Sequence, residues 1–135
     1  MATKVSEIEG IGPVYEAKLN EIGIKSVEDL LEKGGSPKGR KEIEEKTGIE
    51  HSRVLKWVNM ADLFRIKGVA GQYSELLEAA GVDTVKELRN RNAANLHAKM
   101  LEVHNEKKLT RTVPSLSQVE DFIAQAKTLE PKITY

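Results

Sequence analysis

Ile8-Glu9-Gly10-Ile11-Gly12-Pro13 decides the fold, because it returns later in the chain as Ile66-Lys67-Gly68-Val69-Ala70-Gly71. Self-similarity at a fixed period marks a chain assembled from copies of one supersecondary unit. The same displacement sets Tyr15 on Tyr73, Leu19 on Leu77, Gly23 on Gly81, Ser26 on Thr84 and Leu30 on Leu88 without a gap. Farther along, Val54, Trp57, Val58 and Ala61 fall on Val119, Phe122, Ile123 and Ala126 at a larger displacement. An insertion of seven residues around 108–114 accounts for the change. The 135 residues therefore read as one compact domain holding two pseudo-repeats, 8–64 and 66–129, that share a core. A C-terminal tail, 130–135, follows.

Each unit reads as short helices joined by tight turns. Pro13 suits a first helical position, where its missing N–H costs nothing, and Gly23 suits a left-handed stop. Ser26-x-x-Asp29 and Thr84-x-x-Glu87 have the form of capping boxes opening the next helices. Ser36 with Pro37 starts another helix, which runs through 42–47 to a stop at Gly48. Val54, Leu55, Val58, Ala61 and Leu63 recur at helical spacing and predict the longest helix over 51–64. Ser115-x-x-Gln118 caps its counterpart over 119–129, and Pro131 ends it. No window alternates as a strand does. The fold class is all-α.

The pattern apolar-x-Gly-apolar-Gly at 8–12, with its copy at 66–71, resembles the helix-hairpin-helix motif. In such a loop glycine lets the backbone approach a phosphate, and N–H groups beside a helix N-terminus make an anion site. A phosphate held in this way is bound without reference to the base it carries. Gly10, Ile11 and Gly12 are the candidates in the first loop, and Lys67, Gly68, Val69 and Gly71 in the second. Ala70 stands where the second hairpin glycine belongs, with Gly71 one place later, which reshapes the expected loop. Arg65-Ile66-Lys67-Gly68-Val69 and the run from Leu76 to Leu88 are more specific. With Thr47-Gly48-Ile49, Trp57-Val58-Asn59-x-Ala61-Asp62-Leu63 and Gln125-Ala126-Lys127, they resemble a bacterial family carrying a domain of unknown function. That family is built of tandem helix-hairpin-helix, SAM-like units. The resemblance covers nearly the whole chain and implies the fold, but it brings no established activity.

Lys and Arg number 21, as do Asp and Glu, so the formal net charge is zero. Neutrality argues against a protein that coats nucleic acid by bulk electrostatics. The charges are nonetheless uneven. Lys33, Lys38, Arg40 and Lys41 share a stretch free of acids, and Arg89, Arg91, Lys99, Lys107, Lys108 and Arg111 meet only Glu102 and Glu106 across 89–111. One reading is a stripe that follows phosphates. The other is an ordinary solvated surface.

Catalytic readings fail for want of parts. The chain has no cysteine, which excludes disulfides, thiolate zinc sites and a cysteine nucleophile. His97 and His104 share a helical face but find no third metal ligand, and His51 stands apart. Asp29 lies at a tempting distance from Gly10 for a base-excision glycosylase, yet nothing here encloses a flipped base. It is better read as the capping partner of Ser26. Tyr15, Tyr73 and Trp57 repeat at helical spacing and read as core. No Walker loop or nucleophile elbow occurs, so no enzyme, metal or cofactor is expected. No apolar run approaches the roughly 20 residues that span a bilayer, and no signal-peptide segment opens the chain. A cytoplasmic protein away from membranes is expected. Two functions follow. The chain is a module that binds double- or single-stranded DNA through phosphates, at the two loops and at Lys38, Arg40, Lys41, Arg89, Arg91, Lys107 and Lys108. Alternatively, it keeps the hairpins for packing and offers a helical surface to a protein partner.

Overall fold

Short polar side chains open most of the helices, as the capping patterns predict. The computed structural model describes residues 3–69, 71–108 and 112–135, and of residues 71 and 72 the backbone only. Among them a single 3-10 turn, Val5–Glu7, precedes α1 (Pro13–Glu21), α2 (Val27–Gly34), α3 (Pro37–Thr47) and α4 (His51–Leu63). Then follow α5 (Gly71–Ala79), α6 (Val85–Leu88), α7 (Ala93–Lys107) and α8 (Leu116–Thr128). The described residues form no strand, only an isolated bridge between Lys4 and Ser26. The chain is all-α.

Ser26 accepts the Asp29 amide at 3.0 Å while Asp29 accepts the Ser26 amide at 3.2 Å, a reciprocal box at the start of α2. Ser115 and Gln118 make the same pair ahead of α8. Ser36 and Asn92 cap α3 and α7. Thr84 caps α6 by accepting the Glu87 amide at 3.2 Å, which is one half of the expected box. The longest described helix is α7, with 15 residues against 13 in α4, where sequence spacing placed the longest. Buried Leu96, Met100 and Val103 line its inner face at spacings of one and two helical turns.

The chain divides into two compact units. One runs to Asp62 and takes in Lys132–Tyr135, and the other is Leu63–Pro131. In the first, α3 packs with α1 and α2, and the 3-10 turn lies against both α1 and α2. Its buried side chains include Leu19, Ile24, Leu30, Ile43, Trp57 and Val58. Residues 132–135 are docked there. Thr134 N–H donates to the Gly35 carbonyl at 2.7 Å, and Ile133 is buried. In the second unit α7 packs with α5 and α8, and α6 with α8. Leu63, Ile66, Leu77, Leu88, Leu96 and Phe122 belong to one apolar cluster.

Several local features recur at positions that the sequence aligns. Gly10 and Gly68 both have φ of 97°, while Gly23 and Gly81 have φ of 87° and 96°. Ile24 and Val82 each donate to a leucine carbonyl five residues back, at 2.9 Å in both cases.

Candidate functional site

Glycine at positions 10 and 68 serves two needs of the fold. A positive φ near 97° is one that side chains rarely adopt. A Cβ at Gly10 would also stand 3.2 Å from the Trp57 indole nitrogen, and one at Gly68 would stand 3.0 Å from the Phe122 ring. Each loop thus lies on the aromatic residue of a later helix in its own unit. Ile11 and Val69 are buried, and their amides donate at 3.1 Å to the carbonyls of Ile8 and Ile66. Those two N–H groups are engaged within the loops.

Beyond this the loops differ. Gln125 clamps the second. Its Oε1 accepts the Lys67 amide at 2.9 Å, and its Nε2 donates to the Lys67 carbonyl at 3.1 Å. The displacement that aligns the last helices of the two copies puts Gln125 opposite Met60, which has no amide to offer the first loop. Ala70 lies outside the described residues; Gly71 is the first residue of α5. In the first loop, Gly12 is the N-cap of α1 and offers no side-chain cap. Gly12 has φ of −86°, open to any residue, and a Cβ there would meet nothing within 4 Å. Neither strain nor packing asks for glycine at this point. The loop lines a shallow depression of about 420 Å³, bordered also by Glu7 and Glu9. Both glutamates are exposed and would repel an anion seated there.

The basic residues scatter in role. Lys38 and Lys41 are exposed, one turn apart on α3. The stretch that holds them is free of acids in sequence but not in space. Glu42 is held below the usual carboxylate range, first by its hydrogen bond and ion pair with Lys46 at 2.8 Å, then by Lys38 and Lys33. Arg40 is buried and donates to the carbonyls of Gly34 and Thr134 at 2.9 and 2.6 Å. Arg91 is half-buried and donates to the Gly81 carbonyl at 3.0 Å. Its counterpart in the first copy, Lys33, donates to the Ile22 carbonyl at 3.0 Å. Both close the C-terminal end of a helix, α5 and α1, where backbone carbonyls lack partners and cations are favoured. Arg40 and Arg91, expected at a phosphate surface, thus both donate to backbone carbonyls of the fold. Arg89 is half-buried beside the end of α6, Lys107 and Lys108 are exposed at the end of α7, and Arg111 lies outside the described residues.

The model of the family described as "Domain of unknown function (DUF4332)" matches residues 9–129. The chain belongs to the DUF4332 family. No curated protein and no solved structure matches it. The matched span of this DUF4332 chain contains both glycine loops, save Ile8 at the edge of the first, and every basic candidate named above.

Other DUF4332 side chains singled out in sequence have structural partners. Tyr15 meets Trp57 edge-on, with ring centroids 5.1 Å apart, and the Arg53 guanidinium lies over the Tyr15 ring at 5.4 Å. Tyr73 shares a hydrogen bond of 3.1 Å with Thr112. His51 Nδ1 lies 2.8 Å from Glu44. Among the described residues no group of three or more His, Asp or Glu is placed to hold a metal. None of the described helices is long and apolar enough to cross a membrane. Sequence reading missed Gln125 as the clamp of a loop and Lys33 and Arg91 as helix-end partners. The alignment of Lys33 with Arg91 between the copies was the available signal for the second pair.

Proposed function

We propose that the chain is a small non-enzymatic module of tandem helix-hairpin-helix, SAM-like units that binds the phosphate backbone of DNA without reading sequence. The observation that carries this reading is Gly12. A hairpin kept only for packing requires Gly10, which has the positive φ and the aromatic neighbour. It does not require Gly12, which has neither. A glycine at the N-cap leaves the first turn of a nine-residue helix without a side-chain cap, as close approach of a phosphate demands. Charge sets the strength. Glu7 and Glu9 border the same depression, so affinity is weak and falls steeply with salt.

The second reading, a protein-interaction or structural module, is favoured by the engagement of Arg40, Arg91 and the Lys67 amide within the fold. One experiment separates the two. Binding to unrelated double- and single-stranded DNA is measured by fluorescence anisotropy over a salt series, for the parent and for Gly12→Val. Valine suits the extended backbone at residue 12 and covers the approach to the loop. The phosphate reading expects sequence-independent binding at low salt that weakens about tenfold in the variant, with thermal stability retained. A parent that binds no DNA at low salt sinks it in favour of the interaction module.

A further inference from the structure

Arg40 is 3% exposed, and its guanidinium is engaged unevenly. Nη1 donates to the Gly34 carbonyl at 2.9 Å, and Nη2 donates to the Thr134 carbonyl at 2.6 Å. Nε is buried and has no hydrogen-bond partner. An unpaired buried donor is costly, the more so on a charged group. The edge of a guanidinium formed by Nε and one Nη is built to hold an oxyanion through two parallel bonds. Here the Thr134 carbonyl accepts from Nη2 and not from Nε. The Gly34 bond fixes the opposite end of the fork, so the group cannot turn to satisfy both donors. An oxyanion would satisfy both at once.

Arg40 borders a pocket of about 440 Å³, together with Lys41, Glu44, His51, Leu55 and Tyr135. Glu44 is partnered by His51 at 2.8 Å, and exposed Lys41 adds a second cation. The carbonyl now on Arg40 belongs to a segment that is mostly exposed. Of Lys132–Tyr135 only Ile133 is buried, and Tyr135 is 71% exposed. Thr134 N–H donates to Gly35, the Tyr135 hydroxyl donates to Asn59 Oδ1 at 2.8 Å, and the Tyr135 ring lies 5.4 Å from the Arg40 guanidinium. The entropy of ordering four residues is of the same size as what one buried side chain and a few polar contacts return.

We infer that the Nε/Nη2 edge of Arg40 is a phosphate seat, held in cis by the Thr134 carbonyl, and that a phosphate group displaces Lys132–Tyr135 to occupy it. The seat is a side-chain fork and uses no loop amide, so it stands or falls apart from the hairpin reading.

Two-dimensional ¹⁵N–¹H spectra of the full chain, titrated with inorganic phosphate against sodium chloride at matched ionic strength, test this. The Arg40 Nε–H signal and the Thr134 amide should move with one midpoint in phosphate and stay still in chloride. Thr134→Pro removes the N–H that bonds Gly35 and leaves Arg40 untouched. Loosening the clasp should tighten phosphate binding about threefold or more, because a larger fraction of molecules is competent to bind. Arg40→Lys, which keeps the charge but not the fork, should abolish the Thr134 response. If that variant unfolds, Thr134→Pro decides the matter alone. A short single-stranded DNA, titrated in parallel, distinguishes a backbone phosphate from the free ion, since only the former moves the two signals with DNA. Shifts confined to exposed lysines, equal shifts in chloride, or equal phosphate affinity in Thr134→Pro and the parent would each overturn the proposal. Absence of DNA binding at Gly12 would not, because inorganic phosphate reads the Arg40 edge directly.

Discussion

Gly10 and Gly12 stand two residues apart and answer to different forces. Gly10 has φ of 97° and Trp57 against the place where a Cβ would go. Gly10→Ala should therefore cost about 1–3 kcal/mol and lower the melting temperature clearly in a thermal scan. Gly12→Ala should change stability by under about 1 kcal/mol, since its φ is ordinary and its surroundings are empty. A chain that tolerates Gly10→Ala as well as Gly12→Ala would contradict the packing role given to Gly10. Asp29 offers a test in pH. Its carboxyl is held below the usual carboxylate range chiefly by the Lys25 amide at 3.1 Å, then by the Ser26 amide and hydroxyl and by Lys33, against some desolvation. A depressed folded pKa gives stability that is complete above the unfolded value of about 3.9. That stability is lost as pH falls from there through the folded value. Asp29→Asn should flatten unfolding free energy against pH in this acid window, as read by urea titrations at several pH values. The Ser26–Asp29 pairing was legible in sequence, because capping is a matter of spacing along one helix start. The contrast between Gly10 and Gly12 was not, because it depends on Trp57, which lies far along the chain.

At the scale of elements, helix ends explain charges that sequence assigned to a surface. Arg91 donates to the carbonyls of Gly81 and Ala80 at 3.0 and 3.4 Å, and its Nε lies 3.5 Å from Glu87. Arg91→Met should cost about 1 kcal/mol, whereas Lys107→Met should cost under about 0.5 kcal/mol, as exposed positions do. Chemical denaturation of the two variants checks the difference, and equal costs would remove Arg91 from its capping role. Tests of a basic surface should thus reverse Lys107 and Lys108 and leave Arg91 alone. The starts of α2, α3, α6 and α8 were readable, since Ser and Thr side chains bond amides two or three residues on. The helix α7 and its Asn92 cap were not. Its inner residues Leu96, Met100 and Val103 lie among His and Asn, and the run has no strong apolar stripe until the packed face is known.

At the scale of the molecule, the division of the chain makes the two units unequal as fragments. The apolar cluster built from Leu63 to Ala126 lies wholly within Leu63–Pro131. The first unit is discontinuous, because Lys132–Tyr135 belongs to it. Residues 1–62 alone would lose buried Ile133 and leave the Arg40 Nη2 without its acceptor. The contacts of Lys132–Tyr135 outweigh the entropy of ordering four residues by a small margin, so this fragment should melt a few degrees below its unit in the full chain. Residues 63–131 should keep their cooperative transition. Circular dichroism melts of both fragments check this, and the reverse order of stability would refute it. By itself the sequence determined the helical class, the helix starts capped by Ser26, Ser36, Thr84 and Ser115, and the glycines that recur between the copies, all of which follow from local backbone chemistry and spacing. Tertiary structure alone decided which cations are available, which loop amides are engaged, and where the last four residues belong. Those outcomes rest on pairings between distant positions, Arg40 with Thr134, Lys67 with Gln125 and Gly10 with Trp57, and no local rule of the chain encodes them.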